Sequence, residues 1–499
     1  MALDPRSPVI VGVGQWNNRV DRGERAVEPA DMMAEGLRLA ADDSGAGTRA
    51  LAVADAIRVS QSLSRRYPNP ARLVAERVRA TPRDEAVTPV GGNEPQALVA
   101  QASRDIASGD AEVVLICGAE AWRTRTATRR DQHQQLGWTR QDDTVPAARQ
   151  TAPDFDLNHP AEMARHVYAP PQVYALVEQA LRHAAGRSID DQLVRVSDLW
   201  ARFNAVAVAN RHAWIREPLT AEQIRTPSAD NRWIWWPYTK LMNANNAVEQ
   251  AAALILCSAE RAASLGVPRD RWVFPWAATQ AHDTYILSHR RDLHSAPALG
   301  VAARGLLSLC PPVGVDELDH VDLYSCFPSA VQVAAAEIGL ALDRPLTVTG
   351  GLSFAGGPWN NYVSHAIGTM AEVLRGDAGS LGLVTGLGGY LTKHALGLYS
   401  TEPPAGGFRW ADRQDEVNAA ALPRRELAEE AEGPVAIESW VVEHDRDGEP
   451  RRALAACLLD DGRRAWAWSE DPDTVAELRS GAEQIGRAVK IGLDGVLLL

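Results

Sequence analysis

Hydrophobic positions follow two rhythms along this chain. Unbroken apolar runs bounded by turn residues read as buried strands, and apolar residues recurring every three or four positions read as helices. Val9 to Val13 is the first such strand, and GVGQWNN after it lacks the third glycine of a dinucleotide fingerprint. A helix is predicted over Pro29 to Ala41, with Met33, Leu37 and Ala40 on one face. A strand near Ala56 to Ser60 and a helix over Pro70 to Arg79 follow. The pattern is densest in residues 319 to 394, where apolar strands run straight into polar or glycine-rich turns and then into helices. Those turns hold Tyr324, Ser325, Cys326, Asn360, Asn361, Tyr362, His365, Tyr390, Lys393 and His394. Glycine lets backbone approach a ligand closely, and the next helix offers free N–H groups and its positive dipole end.

One arrangement occurs twice. In VTPVGGNEPQALVAQASRDIASGDAEVVLICGAEA a strand enters the turn GGNEP, and a helix with Leu98, Ala102 and Ile106 on one face leads through GDA to the strand VVLIC, ending at Gly118. Residues 347 to 386 repeat it: a strand, the turn GGPWNN, a helix with Val363, Ile367, Met370 and Leu374 aligned, a second GDA and the strand LGLVTG. The shared order predicts an internal duplication of one βαβ-type unit. Between the copies lies a helical insertion, about 125–230, broken at Pro170-Pro171. Trp233, Trp235 and Trp236 follow it, as the lining of an apolar pocket or as core and interface. After Tyr399 the chain becomes Pro- and Gly-rich. It then alternates as strands with hairpin signals at Asp447-Gly448 and Asp461-Gly462, a small all-β, barrel-like domain.

The totals narrow the function. The 499 residues suffice for two or three domains. The net charge of -13 argues against nucleic acid or an anionic membrane as the main partner. Arg123, Arg125, Arg129 and Arg130 form a local basic run, either a phosphate patch or a solvated face. Five scattered cysteines, the absence of a signal-like start and the lack of a membrane-length apolar run predict a cytosolic chain without disulfides or a membrane span.

Over about residues 7 to 400 the sequence resembles the thiolase superfamily. VIVGVGQW is similar to its opening strand and GGNEPQALVAQASRDIASGDAEVVLICGAEA to the nucleophile loop, helix and next strand. PYTKLMNANNAVEQAAALIL resembles the strand pair that ends the first half. LYSCFPSAVQVAAAEIGL resembles the Asn-Glu-Ala-Phe region, FAGGPWNNYVSHA the Gly-His-Pro loop and TGLGGYLTKH the last catalytic loop. Among subgroups it most resembles sterol-carrier-type and actinobacterial thiolase-like proteins, whose extra C-terminal domain is OB-like. The resemblance implies an α/β fold of two five-stranded mixed sheets in αβαβα layers, with the small all-β domain appended. Expected limits are 1–260 for the first half, 261–402 for the second and 403–499 for the OB-like domain. It also implies a site between the halves, a CoA or acyl-CoA ligand with no covalently bound cofactor, a place among acetyl-CoA acetyltransferases of lipid metabolism, and a monomer or homodimer.

The catalytic residues of thiolases are not matched. Their nucleophilic cysteine falls on Gly91, the Gly-His-Pro histidine on Gly357, the second cysteine on Gly386 and the oxyanion-hole asparagine on Tyr324. Thiolysis and Claisen condensation need a thiolate, bases and oxyanion donors, and glycines supply backbone N–H groups alone. Candidate catalytic groups are therefore Tyr324, Cys326, Tyr362 and His365, the last two sharing a helix face. Each has a structural alternative: a bonded Tyr, a buried Cys, a cap region. A His at a helix start is held neutral, which suits a base. Candidate ligand contacts are Gly91, Asn93, Gly357, Asn360, Asn361, Gly386 and His394, although Asn360 and Asn361 also suit helix capping. No metal is expected: His159, Glu162 and His166 share a spacing but no open-site motif. Three functions remain: an acyl-CoA-binding protein without classical thiolase activity, a retro-aldol lyase on a β-hydroxyacyl-CoA using Tyr and His, and a non-catalytic scaffold.

Overall fold

A computed structural model describes residues 3–19, 26–130 and 136–499, without the side chains of Arg129 and Arg130. Half of the basic run thus lies outside the described residues. Strands β1 (Pro8–Asn17), β2 (Ala56–Val59), β3 (Asp84–Val87), β4 (Val113–Ala121) and β5 (Arg149–Gln150) belong to the first half. The insertion adds β6 (Trp233–Trp236) and β7 (Tyr238–Thr239), and β8 (Glu249–Ser258) returns to the first sheet. That sheet is ordered β1-β8-β4-β2-β3-β5. The second sheet holds β9 (Phe274–His282), β10 (His320–Asp322), β11 (Gly382–Gly388), β12 (Lys393–Ser400) and β13 (Arg409–Asp412), ordered β10-β11-β12-β9-β13.

The duplication is visible in the pairing. β2 runs parallel to β4, and β8 and β1 follow antiparallel. In the second sheet β10 runs parallel to β11, and β12 and β9 follow antiparallel. The equivalent helices Glu94–Ser108 and Tyr362–Gly376 pack on each other between the sheets. Helix Pro29–Asp43 covers the outer face of the first sheet and Pro297–Ser308 that of the second, which completes five layers. Apolar residues of both sheets and the two central helices are almost fully buried, as their unbroken apolar runs require.

The second copy departs from the first at one strand. The strand expected before GGPWNN, the counterpart of β3, does not form, and a short helix, Gly351–Phe354, stands beyond it. The cause is Asp322, at the end of β10. Its Oδ2 accepts the N–H groups of Val348 (3.0 Å) and Thr349 (3.1 Å) and the hydroxyls of Thr347 (2.9 Å) and Thr349 (3.0 Å). Donors spent on a buried carboxylate are lost to a ladder. Gly350 and Gly351 then turn the chain at φ 98° and 79°. The fifth strand is supplied instead by β13, parallel to β9. The expected break after residue 402 therefore moves: Arg409–Asp412 lies in the second half's sheet, and helix Gln414–Ala419 packs beside it.

The C-terminal domain contains β14 (Gly433–His444), β15 (Pro450–Leu458), β16 (Arg464–Ser469), β17 (Ala488–Ile491) and β18 (Leu497–Leu498). β14, β15 and β16 form a meander, β17 pairs with the start of β14, and β18 pairs with β17. A parallel bridge from Trp468 to Val496 closes the ring, and helix Pro472–Arg479 joins β16 to β17. This is the strand order of an OB-fold barrel. Gly448 and Gly462 sit in the two predicted turns at φ 92° and 84°. Beyond its contacts with β17, β14 pairs with β6, so Trp235 and Trp236 are buried at the junction with the OB-like domain rather than lining a ligand pocket. Arg464, fully buried, fixes the domain to the second half. It pairs with Glu438 at 2.6 Å and donates to the carbonyls of Leu287, Ser288 and Arg290. Among the described residues no helix is long and apolar enough to cross a membrane.

Candidate functional site between the halves

The loop before helix Glu94–Ser108 meets β11 and β12 of the other half, and the meeting point is full. A Cβ placed on Gly91 would lie 2.6 Å from Lys393 Nζ and 2.5 Å from Asn93 Oδ1. On Gly386 it would lie 2.9 Å from the Asn93 Cα, and on Gly388 2.3 Å from Asn93 Oδ1 and 2.8 Å from Lys393 Cε. Lys393 thus occupies the room that a side chain at 91 would need. Its ammonium donates to the Val90 carbonyl at 2.7 Å and to Glu94 Oε1 at 3.3 Å, and both side chains of that ion pair are buried. Burial pushes the Glu94 carboxyl up, and the Lys393 charge opposes that shift. Asn93 Nδ2 donates to the same Glu94 oxygen, while Asn93 Oδ1 is buried without a donor.

The expected asparagine caps are tethers instead. Asn360 Oδ1 accepts the Gly91 N–H at 2.9 Å, and its Nδ2 donates to the Gln61 carbonyl at 2.7 Å. Asn361 is the N-cap residue of helix Tyr362–Gly376 by position, but its side chain makes no cap bond and donates to the Gly118 carbonyl at 2.7 Å. Both asparagines therefore sew the second half's turn to the first half. Gly357 lies apart, donating its N–H to the Asn245 carbonyl and facing Asn246 and Ala244. Gly91 and Gly386 thus share Asn93 as a neighbour, and Gly357 faces a different segment.

The four candidate catalytic side chains are all buried. With the Thr349 proton on Asp322, the single Tyr362 hydroxyl proton is shared between Asp322 Oδ1 at 3.1 Å and the Thr349 oxygen at 2.6 Å. Burial first, and then the Asp322 charge, raise its phenol well above the ordinary range, so it braces the Asp322 cradle. His365 Nδ1 lies 2.9 Å from Gln15 Oε1, and Nε2 is buried without a partner. Burial, with a smaller push from His212, lowers its pKa to about 3. The neutral state expected from its helix position is present, but desolvation is the leading cause, and a base that weak takes up no proton near neutrality. Burial pushes the Cys326 thiol up to about 12, against hydrogen bonds with Tyr174 and the backbone that lower it, an environment of a buried small apolar residue. Tyr324 packs edge-on against Tyr362 at 5.5 Å, and its hydroxyl lies against Gly92, where a Cβ would meet it. Burial also raises its phenol.

His394 lies on β12, its Nε2 3.3 Å from Asp283 Oδ2, facing the second half's own core rather than the first half. His159 is the N-cap of the five-residue helix Pro160–Ala164 in a capping box with Glu162, whose other oxygen accepts from Ser288 at 2.8 Å. His166 lies past that helix at φ 65° against Trp468. Those three side chains do not share one face. Sequence reasoning underweighted Lys393 and Glu94. The signal was a lysine opening the apolar strand KHALGLY and a glutamate starting the helix after GGN.

Comparison with known proteins fits this architecture. The family model for the additional C-terminal domain of thiolase-like protein type 1 matches residues 412–496. The crystal structure of a monomeric SCP2-thiolase-like protein type 1 from Mycobacterium smegmatis superposes with a TM-score of 0.83 at 30% identity, over 100% of both chains. The chain belongs to the thiolase-like protein type 1 family. An acetyl-CoA acetyltransferase of Methanocaldococcus jannaschii is 23% identical over 270 residues, 54% of this thiolase-like chain and 60% of that protein, so less than two thirds of the relative is spanned. An Ltp2-ChsH2(DUF35) aldolase shares the fold at TM-score 0.58 and 19% identity, over 80% of this chain and 99% of that one.

Proposed function

We propose that this thiolase-like protein binds a CoA thioester without performing thiolysis or Claisen condensation. The observation that carries the reading is the space at Gly91, taken by the Lys393 ammonium and the Asn93 amide. A thiolase mechanism needs an acyl-accepting sulfur there and a base beside it. Here the position holds a cation paired with Glu94, Cys326 is a protonated thiol, and His365 takes up no proton near pH 7. The family supports the ligand class, and the family relative described as monomeric supports a monomer. β5 covers the outer edge of β3, which also supports a monomer by removing a free pairing edge. The test is calorimetric titration with CoA, acetyl-CoA and acetoacetyl-CoA beside a thiolysis assay. Binding without turnover is expected. Turnover comparable to that of a thiolase overturns the reading, and so does no binding of any thioester.

One observation favours a second reading, a retro-aldol lyase on a β-hydroxyacyl-CoA. The Tyr324 hydroxyl makes no hydrogen bond among the described residues, unlike that of Tyr362. A free phenol beside the Gly91-Gly92 loop would suit hydroxyl-proton transfer without a covalent intermediate. The aldolase among the fold neighbours supports the fold of that reading alone. Cleavage of a β-hydroxyacyl-CoA that is abolished in Tyr324→Phe would establish it, and unchanged cleavage would remove Tyr324 from it.

A further inference from the structure

A cavity of about 940 Å³ opens where the second half meets the linker to the OB-like domain. Its walls are residues 282–297, which follow β9, and residues 414–425. Four arginines line it, Arg290, Arg291, Arg424 and Arg425, against two aspartates, Asp283 and Asp292. In a chain of net charge -13 this is a local inversion of sign. The two aspartates are occupied. Asp283 faces His394, and Asp292 accepts from the His294 N–H at 3.1 Å and the Ser295 hydroxyl at 2.7 Å. Two of the arginines are occupied as well. Arg290 donates to the carbonyls of Tyr390, Leu391 and Ser295, and Arg425 to those of Arg291 and Gly462. Arg291 and Arg424 are exposed, and their guanidinium groups have no partner among the described residues. An antiparallel bridge between Arg290 and Arg424 holds the two segments together.

The same wall carries a column of rings. Tyr285 stacks on Phe155 at 4.3 Å and on His282 at 4.5 Å, and both His282 and Tyr285 line the cavity. Phe155 ends the column beside the cavity's lining and is 45% exposed, so the column presents aromatic surface to solvent there. Free planar guanidinium groups select phosphate oxygens by paired donors, and an open ring face selects a flat heterocycle.

We propose that this cavity is a binding site for a nucleoside phosphate, with Arg291 and Arg424 on the phosphates and the Phe155–Tyr285–His282 column against the base. The proposal does not rest on the reading of the seam, because the groups it invokes are Arg291, Arg424, Phe155, Tyr285 and His282, none of which is invoked there. A free nucleotide and the nucleotide end of a CoA thioester share this chemistry.

The test is calorimetry on the full-length protein with ATP, adenosine 3′,5′-bisphosphate, CoA and pyrophosphate. Arg291→Glu/Arg424→Glu, Phe155→Ala, and Arg195→Glu/Arg202→Glu in the separate 520 Å³ cavity are measured beside it. One equivalent of nucleotide is expected to bind, weakened about a hundredfold by the double reversal at 291 and 424, because each lost charge-assisted contact is worth about tenfold or more. Phe155→Ala is expected to weaken the nucleotides and leave pyrophosphate unchanged, and the control pair to change nothing. Preference for ATP points to a free nucleotide, and preference for CoA or the bisphosphate to the thioester's handle. No nucleotide binding, binding indifferent to Arg291 and Arg424, or pyrophosphate binding as tightly as ATP overturns the proposal. The side chains of Arg291 and Arg424 make no hydrogen bond or ion pair among the described residues, so an unchanged melting curve verifies that the charge-reversed variant is folded.

Discussion

Placing a thiol at position 91 is the sharpest perturbation of this fold. Gly91→Cys puts a Cβ 2.6 Å from Lys393 Nζ, 3.0 Å from Lys393 Cε and 2.5 Å from Asn93 Oδ1. Gly91 is not among the glycines with positive φ, so backbone strain contributes nothing and the cost is one of contact. The Asn93 amide can turn away cheaply. Lys393 cannot, because its ammonium is held by the Val90 carbonyl and Glu94, and the side chains of the pair are only 10% and 7% exposed. Overpacking alone costs about 1–3 kcal/mol, and parting a buried ion pair about 3–5 kcal/mol. Gly91→Cys is therefore expected to destabilise the thiolase-like core by about 3 kcal/mol or more. In a Glu94→Gln/Lys393→Ala background the obstacle is gone, and the same change should cost about 1 kcal/mol, leaving a coupling of about 2 kcal/mol. Urea titrations of the four proteins, followed by tryptophan fluorescence, measure this. No thiolysis is expected in any of the four, since Lys393 and Glu94 are tied to each other in the first background and removed or neutralised in the second. A cost below about 1 kcal/mol in the otherwise unchanged protein would refute the claim that Lys393 fills the nucleophile position.

Other expectations follow from the buried groups. Tyr362→Phe leaves Asp322 Oδ1 without its one donor and should cost about 2 kcal/mol of stability in urea while thioester affinity stays unchanged; lost affinity with intact stability would instead put Tyr362 in the site. His365 binds its proton in the folded protein only near pH 3, whereas the unfolded chain takes it up near pH 6.5. The unfolded state then binds more protons between those values, so stability falls as the pH drops through that window, by about 3 kcal/mol at pH 4.5. His365→Gln should flatten that slope, and an unchanged slope would show that His365 is not the group responsible. All five cysteines are buried, so a thiol reagent should find none reactive until urea is added. One fast-reacting thiol traced to Cys326 would reopen its role as a nucleophile.

Repetition made most of the fold legible. Two copies of turn, helix, GDA and strand specified matching sheets and matching central helices, because both copies keep their apolar faces in register. The β-domain was legible for a similar reason: Asp-Gly pairs at hairpin spacing fix where strands fold back. The missing counterpart of β3 was not legible, because LTVTG alternates like a strand. Only the buried carboxylate of Asp322, distant in sequence, takes up its N–H groups. The site was legible in its losses rather than its contents. Glycines at 91, 357 and 386 stand where the resemblance leads one to expect catalytic side chains, but nothing local revealed that Lys393 comes across from the other half to lie against Gly91. The asparagines misled in the same way. A cap and a tether need identical residues at the same place, and the distinction lies in which carbonyl happens to be opposite.

The pairing of β6 with β14 has a consequence for how this architecture is inherited. The recognisable C-terminal segment begins at residue 412, yet one edge of its sheet is completed by Trp235 and Trp236, just past the first half's insertion. The unit that evolution can copy and the unit that folds do not coincide. A gene fusion that appended the segment could be reversed by a single cut only while the two parts stayed independent. Once an upstream strand was lent to the appended domain, fission would leave a barrel with an unpaired edge on one product and bare tryptophans on the other. Interlocking of this kind makes a fusion permanent, and it predicts that the insertion and the C-terminal segment are gained, kept and lost together.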